Sequence, residues 1–296
     1  MKKVRSNLNR EAIKWGFIMI SPVVIGLTIF YIIPFFQNVF FSFTNLNSFG
    51  NYELVGLSNY KDILKNPDIY IALKNTFIYT IFTVPSIVII SLVIANLLNQ
   101  KIKGIGIYRT LYFLPAVTMP AATAMIWKWI YNGQYGLLNQ ILAVFNVEPR
   151  SFLADPDTAM FALILVGVWM GIGMNVVYFL AGLQSIPKTY YEAATLDGAS
   201  PVKQFFTITI PSLAPTITFV LITSFISSLQ MFDLVYLMIG KDNIAIKNTM
   251  SIVYLFYQYA IDFGEKGYGA AIACILFVII LVITFVQLKL QKKWNE

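Results

Sequence analysis

The 296-residue chain is 58% hydrophobic and only 12% charged, with a net charge of +7. Soluble domains are about 25% charged, so the composition excludes a water-soluble globular protein and describes an integral membrane one. Histidine is absent, which removes the commonest general base and metal ligand. The lone Cys274 excludes an internal disulfide, and no Gly-x-x-x-x-Gly-Lys-Ser/Thr run is present to cradle a nucleotide.

The chain opens on a basic tail, residues 1–14, containing Lys2, Lys3, Arg5, Arg10 and Lys14. The apolar run that follows, 15–36, is longer than a signal-peptide core and lacks a small-residue cleavage pattern, so it reads as a retained anchor. Crossing a bilayer takes about 20 apolar residues. By that measure further spans are expected at about 76–98, 110–131, 159–183, 212–239 and 268–288, six in all within a membrane domain covering 15–290. A short helix is expected around Tyr60 to Leu64 in the first long connection. Lys128 falls near the end of the third run beside Trp127, Trp129 and Tyr131, where its ammonium can snorkel to the interface. Prolines fall inside most of the spans and predict kinks. A short tail, 291–296, ends the sequence.

Between the fourth and fifth spans, residues 184–211 are the most polar stretch that still reads as structured. Pro187 suits a first helical turn, and Asp197-Gly198 supplies a stop. Ser200-Pro201 then restarts a second helix as N-cap and first-turn proline. The positive-inside rule sets the orientation. Thirteen Lys and Arg fall in the two tails, the second-to-third connection and this stretch, against four acids; the other side holds the remaining eight, Lys128 included. Both termini and the helix–turn–helix are therefore expected in the cytoplasm.

Polar groups inside spans are costly and invite a functional reading. In the fourth span, Gly167, Gly171 and Gly173 fit close helix packing. Trp169, Asn175 and Tyr178 either pack or line a cavity for a sugar-like solute, aromatic rings covering pyranose faces and the amide bonding hydroxyls. In the fifth, Ser227 and Gln230 lie on one face, and Asp233 is either a boundary cap or a ligand or gate residue.

The order Glu192-Ala193-Ala194, three residues, Gly198, nine residues, Ile208-Thr209-Ile210-Pro211 resembles the EAA loop of ABC importer permeases, with Ile210 in place of the usual leucine. Phe41–Thr44, Gly56–Tyr60, Tyr108–Pro115, Phe179–Pro187 and Phe232–Tyr236 resemble the carbohydrate branch, in particular the first permease of a two-permease pair. The loop from Gly240 departs from that family's Gly-Gly-Pro-rich pattern. The resemblance implies an all-α, type I ABC importer permease fold with a cytoplasmic coupling helix. It implies that Tyr191, Glu192, Ala193, Ala194, Leu196, Asp197, Gly198 and Ala199 engage a separate ATPase, which binds the ATP and Mg itself. Implied partners are a second permease, two ATPases, an external solute-binding protein, a sugar and membrane lipid, with no nucleic acid. Another polar solute, such as glycerol-3-phosphate or a glycerophosphodiester, is the alternative cargo. An ion-coupled secondary transporter is more remote, since only Asp233 is a candidate buried titratable group.

Overall fold

The computed structural model describes residues 2–100 and 104–294, with side chains for 10–100 and 104–291. Lys101 and Lys103, and the side chains of Lys2, Lys3, Arg5, Lys292 and Lys293, all counted in the charge balance above, lie outside the described residues. Among the described residues the secondary structure is helical apart from one bridge pairing Thr44 with Leu54. In chain order the helices begin with α1 (Lys2–Leu27), α2 (Ile33–Phe41), α3 (Ser58–Ile63), α4 (Pro67–Leu98) and α5 (Ile105–Val117). Then come α6 (Pro120–Ile130), α7 (Leu137–Val144), α8 (Ala159–Ser185), α9 (Lys188–Leu196) and α10 (Pro201–Gln204). The last are α11 (Ile210–Ser212), α12 (Ala214–Leu229), α13 (Ile246–Thr249), α14 (Ile252–Tyr257) and α15 (Lys266–Trp294).

Four stretches are long and apolar enough to cross a membrane singly: Arg10–Phe41, Pro67–Leu98, Ala159–Ser185 and Lys266–Gln291. Two bent pairs bring the number to six. The expected third span is broken, α5 and α6 meeting at 101°. Pro120 explains the break: a residue before proline is pushed into extended backbone, and Met119 has ψ 135°. The helix ends after Val117 and restarts with Pro120 in its first turn. The expected fifth span, 212–239, is also divided. Helix Pro201–Ser212 meets α12 at 67° beside Pro215. α12 then stops at Leu229, with a helical turn resuming only at Asp233. The short helix in the first connection is Ser58–Ile63, close to the expected place.

π-helical stretches mark other irregular points. Thr28–Ile32 and Phe205–Thr209 each end two residues before a proline, Pro34 and Pro211. Proline has no N–H to continue the ladder, and Ile33 and Ile210 reach back instead to the carbonyls of Thr28 and Phe205.

The chain forms two compact units. One contains the chain up to Lys65 together with Phe256–Ile275; the other contains Asn66–Leu255 and the remainder of α15. In the first, two of the sequence segments noted above clasp each other. Buried Asn59 donates to the carbonyls of Ser42 (2.9 Å) and Thr44 (2.8 Å), and the Tyr60 and Ser42 hydroxyls bond at 2.7 Å. Gly267 is required here, because a Cβ would overlap the Thr44 carbonyl. Cys274 is half-buried and accepts from the Asn38 amide at 3.6 Å.

The second unit is arranged around α8. A Cβ on Gly167 or Gly171 would overlap the Tyr79 hydroxyl or Ile87 of α4, and one on Gly173 would come 2.6 Å from the Tyr112 carbonyl of α5. The glycines therefore set two interhelical approaches, as close packing requires. Beyond them, Leu98, Phe179, Leu183, Leu213 and Val220 form a buried apolar cluster joining α4, α8 and α12.

Candidate functional site

A cavity of about 450 Å³ opens in the second unit, between α4, α8, α12 and the segment after α12. Its size is in the range of small-ligand pockets, about 300–1,000 Å³. Five of the six expected pathway residues line it: Asn175, Tyr178, Ser227, Gln230 and Asp233. Trp169 does not. Its ring instead meets Trp127 of α6 edge-on at 5.7 Å, and Trp127 in turn packs on Tyr131 at 5.4 Å.

The break after Leu229 is what arms the cavity. Gln230 sits at the helix C-cap and Met231–Phe232 are non-helical, so Gln230 and Asp233 belong to a turn and not to one continuous helix face. Both are exposed in the chain and both line the cavity. Ser251 donates to the Met231 carbonyl. Across the unit, Asn75 donates to the carbonyls of Lys247 (2.9 Å) and Met250 (3.2 Å), and Thr76 accepts the Ile252 N–H at 3.1 Å. These bonds tie the segment after α12 to the start of α4, so its position is built in and not left to a loose loop.

Buried Asn175 spends one amide N–H on the Gly171 carbonyl, 2.8 Å away, four residues back on its own helix. That bond fixes its rotamer, and the group keeps an amide oxygen and a second N–H to offer a ligand. Tyr178 lies edge-on to Phe219 at 5.2 Å, and Phe232 stacks on Tyr236 at 5.2 Å with 21° between planes. The sequence reading missed Tyr79 and Thr83 of α4 and Phe232, all of which line the cavity. Thr76, Tyr79, Thr80 and Thr83 recur every three or four residues in an otherwise apolar run, and that spacing was the available signal. Among the described lining residues Asp233 is the only charged one. Apart from that carboxylate the polar lining is of neutral hydroxyls and amides, set among aromatic rings and the apolar side chains of Ile87, Met170, Met174, Met231 and Leu234, chemistry suited to a polyhydroxylated solute.

The α9–α10 hairpin is the second candidate surface. Pro187 stands at the N-cap of α9, one position earlier than expected, and Asp197 is the C-cap. Gly198 has φ +75°. Its N–H bonds the Thr195 carbonyl (3.0 Å), and that of Ala199 bonds the Ala194 carbonyl (2.9 Å). This is the Schellman pattern, in which the left-handed residue is most often glycine. Ser200 accepts from the Lys203 N–H at 3.3 Å and starts the next helix. Glu192, Ala193, Leu196 and Asp197 are exposed, Leu196 to 90%, while Ala194 and Ala199 are half-buried. Tyr191 faces the other way. It packs against the apolar cluster and its hydroxyl bonds that of Thr209 at 2.9 Å. Gln204 donates to Thr195 and to the Ala199 carbonyl, both at 3.0 Å. Tyr191 thus mounts the hairpin, and the exposed tip is left to the neighbouring residues.

Comparison with known proteins agrees with this geometry. Residues 72–296 match the family model described as binding-protein-dependent transport system inner membrane component. The chain is 35% identical to the multiple sugar-binding transport system permease protein MsmF of Streptococcus mutans, over 99% of both chains. It is 35% identical to the arabinooligosaccharides transport system permease protein AraP of Bacillus subtilis, over 93% of this chain and 88% of that one. A subunit in the crystal structure of a bacterial alginate ABC transporter, in complex with an alginate pentasaccharide-bound periplasmic protein, shares the fold. Its TM-score is 0.84, with 98% of each chain covered and 19% identity. A type I ABC importer permease fold, a matched region that runs from within α4 to the end of the chain, and full-length likeness to curated permeases lead to one conclusion: this chain belongs to the family of inner membrane components of binding-protein-dependent transport systems.

Proposed function

We propose that the chain is one of two related permeases in an ATP-driven importer of a sugar or oligosaccharide. The observation that carries the reading is the cavity of hydroxyls, amides and aromatic rings with the single carboxylate of Asp233 among its described lining residues, standing in the same compact unit as an exposed, capped hairpin. Asn175, Tyr178, Ser227, Gln230 and Asp233 would contact solute. The cavity lining contains no Lys or Arg among the described residues, which favours a neutral sugar over a phosphorylated solute. Relatives named for multiple sugars and arabinooligosaccharides support the same class.

Energy would come from two partner ATPases that bind ATP and Mg. Glu192, Ala193, Ala194, Leu196, Asp197, Gly198 and Ala199 would form the dock on the cytoplasmic side. Closure of the ATPases would move the hairpin. The bonds of Tyr191 and Gln204 would carry that motion into α12 and the apolar cluster, biasing the membrane domain between inward- and outward-open states. An external solute-binding protein would deliver the sugar, as it is bound in the alginate system. Permease, ATPases and binding protein reconstituted in proteoliposomes test this together. Uptake of a labelled oligosaccharide should require ATP and Mg, and Glu192→Lys should lower it at least about tenfold by removing a charge-assisted contact. Uptake driven by an ion gradient without ATP would overturn the assignment.

A further inference from the structure

A second pocket, of about 330 Å³, lies between α5 and α8 and includes Leu98 at the end of α4. It shares no residue with the solute cavity. Its walls are apolar: Tyr112 and Phe113 from α5, and Val176, Val177 and Leu180 from α8. These positions recur at helical spacing, so each helix turns one continuous stripe toward the groove. The two backbones come together at Gly173, where a Cβ would sit 2.6 Å from the Tyr112 carbonyl. From that contact the lining runs toward Arg109 on α5 and Leu180 on α8. That is the end of the groove nearest the connection before α5 and the α9 hairpin, both placed on the cytoplasmic side by charge.

Arg109 is the one charged residue of the lining. It is exposed, and no ion pair or hydrogen bond engages its guanidinium among the described residues. An unpaired cation at the mouth of an apolar groove at membrane depth matches a molecule with an anionic head and a hydrocarbon tail. The cytoplasmic leaflet supplies such molecules, and basic pockets between membrane helices on that side hold lipid head groups. Guanidinium is also the side chain whose geometry fits phosphate in a bidentate fork.

We propose that this groove binds one anionic phospholipid of the inner leaflet, its phosphate on Arg109 and an acyl chain along Phe113, Val177 and Leu180. The placement rests on the orientation proposed above, but the binding is read out separately from transport. A zwitterionic lipid such as phosphatidylcholine would fill the groove equally well and also offers a phosphate, but its choline cation offsets the attraction to Arg109, so the site favours a net anionic head. A free phosphate would use Arg109 and gain nothing from the walls.

The test uses the assembled importer in nanodiscs containing equal phosphatidylglycerol and phosphatidylcholine, with retained lipid counted by mass spectrometry after purification. The wild type should hold phosphatidylglycerol in preference, and Arg109→Gln should reduce that preference about fivefold, the effect of one basic residue at an anionic surface. Arg109→Lys should keep part of it. Val177→Trp, which fills the groove and leaves the charge, should abolish it; this separates a lipid site from simple charge attraction. The proposal is overturned if Arg109→Gln retains the wild-type preference or if Val177→Trp leaves it unchanged. It is equally overturned if a photoreactive residue at position 177 captures the second permease and no lipid. Because the count does not depend on uptake, a failed lipid site and a failed transport assignment are distinguishable results.

Discussion

Glycine is used in two physically different ways in this chain. Gly198 has open space around it but a φ of +75°, so what it supplies is backbone freedom at the end of α9. A side chain in left-handed backbone costs roughly 1–2 kcal/mol. Gly167 has ordinary backbone, but a Cβ there would overlap the Tyr79 hydroxyl and lie 2.9 Å from the ring carbon that bears it. Its contribution is the α4–α8 approach. Gly167→Ala should therefore destabilise the permease by about 1–3 kcal/mol through overpacking, seen as a lower unfolding temperature in detergent. Tyr79→Phe removes the nearest obstructing atom, so the double variant should recover part of the loss. Additive losses in the two variants would show that the contact does not set the approach. The sequence revealed that these glycines pack, because three small residues at short spacing in an apolar run have few other uses. It could not reveal that Tyr79 is the partner, since that depends on the register between two helices far apart in the chain.

At the scale of elements, apolar length picked out stretches that the structure builds as four long apolar helices and two bent helix pairs, but not their shape. Hydropathy counts side chains, whereas the 101° break between α5 and α6 is a dihedral effect of Pro120 on Met119. The end of α12 at Leu229 was equally hidden, and it is what turns Gln230 and Asp233 into cavity groups. Trp169 had two readings, packing or cavity lining, that residue type cannot separate; in the structure its ring packs on Trp127. The α9–α10 hairpin was legible almost residue by residue, because its caps are local chemistry. What the sequence did not show is how the hairpin is held. Tyr191 bonds Thr209, and Gln204 bonds Thr195 and Ala199, so the two short helices form one braced body. Each such bond is worth about 1 kcal/mol. Tyr191→Phe combined with Gln204→Ala should leave the ATPases attached and hydrolysing while uptake per ATP falls about fivefold or more. An unchanged ratio of sugar moved to ATP consumed would show that the bracing does not transmit the stroke.

For the whole molecule, the exposed surface follows from the bilayer. The apolar core of the stretch Arg10–Phe41 is not buried at all within the chain, and Phe17, Met19, Phe30 and Tyr31 are each more than 70% exposed. In water such a stripe would aggregate; in a membrane it faces lipid or another membrane subunit. The charge pattern sets the expected sides, and the proposed function depends on that expectation, because an ATPase could engage Glu192 and Leu196 only from the cytoplasm. Two exposed positions on opposite expected sides decide it. Leu196 is at the hairpin tip, and Asn146, with φ +55°, is in the exposed turn after α7. With Cys274 first replaced by alanine, Asn146→Cys in intact cells should react with a membrane-impermeant maleimide and Leu196→Cys should not. In inside-out vesicles lacking the ATPases the pattern should reverse. Adding the ATPases back should then protect position 196 and leave position 146 unaffected. Labelling of position 196 from outside the cell would invert the topology and remove the hairpin from any contact with cytoplasmic ATPases, even though its caps, its bracing and the cavity in the same unit would stand unchanged.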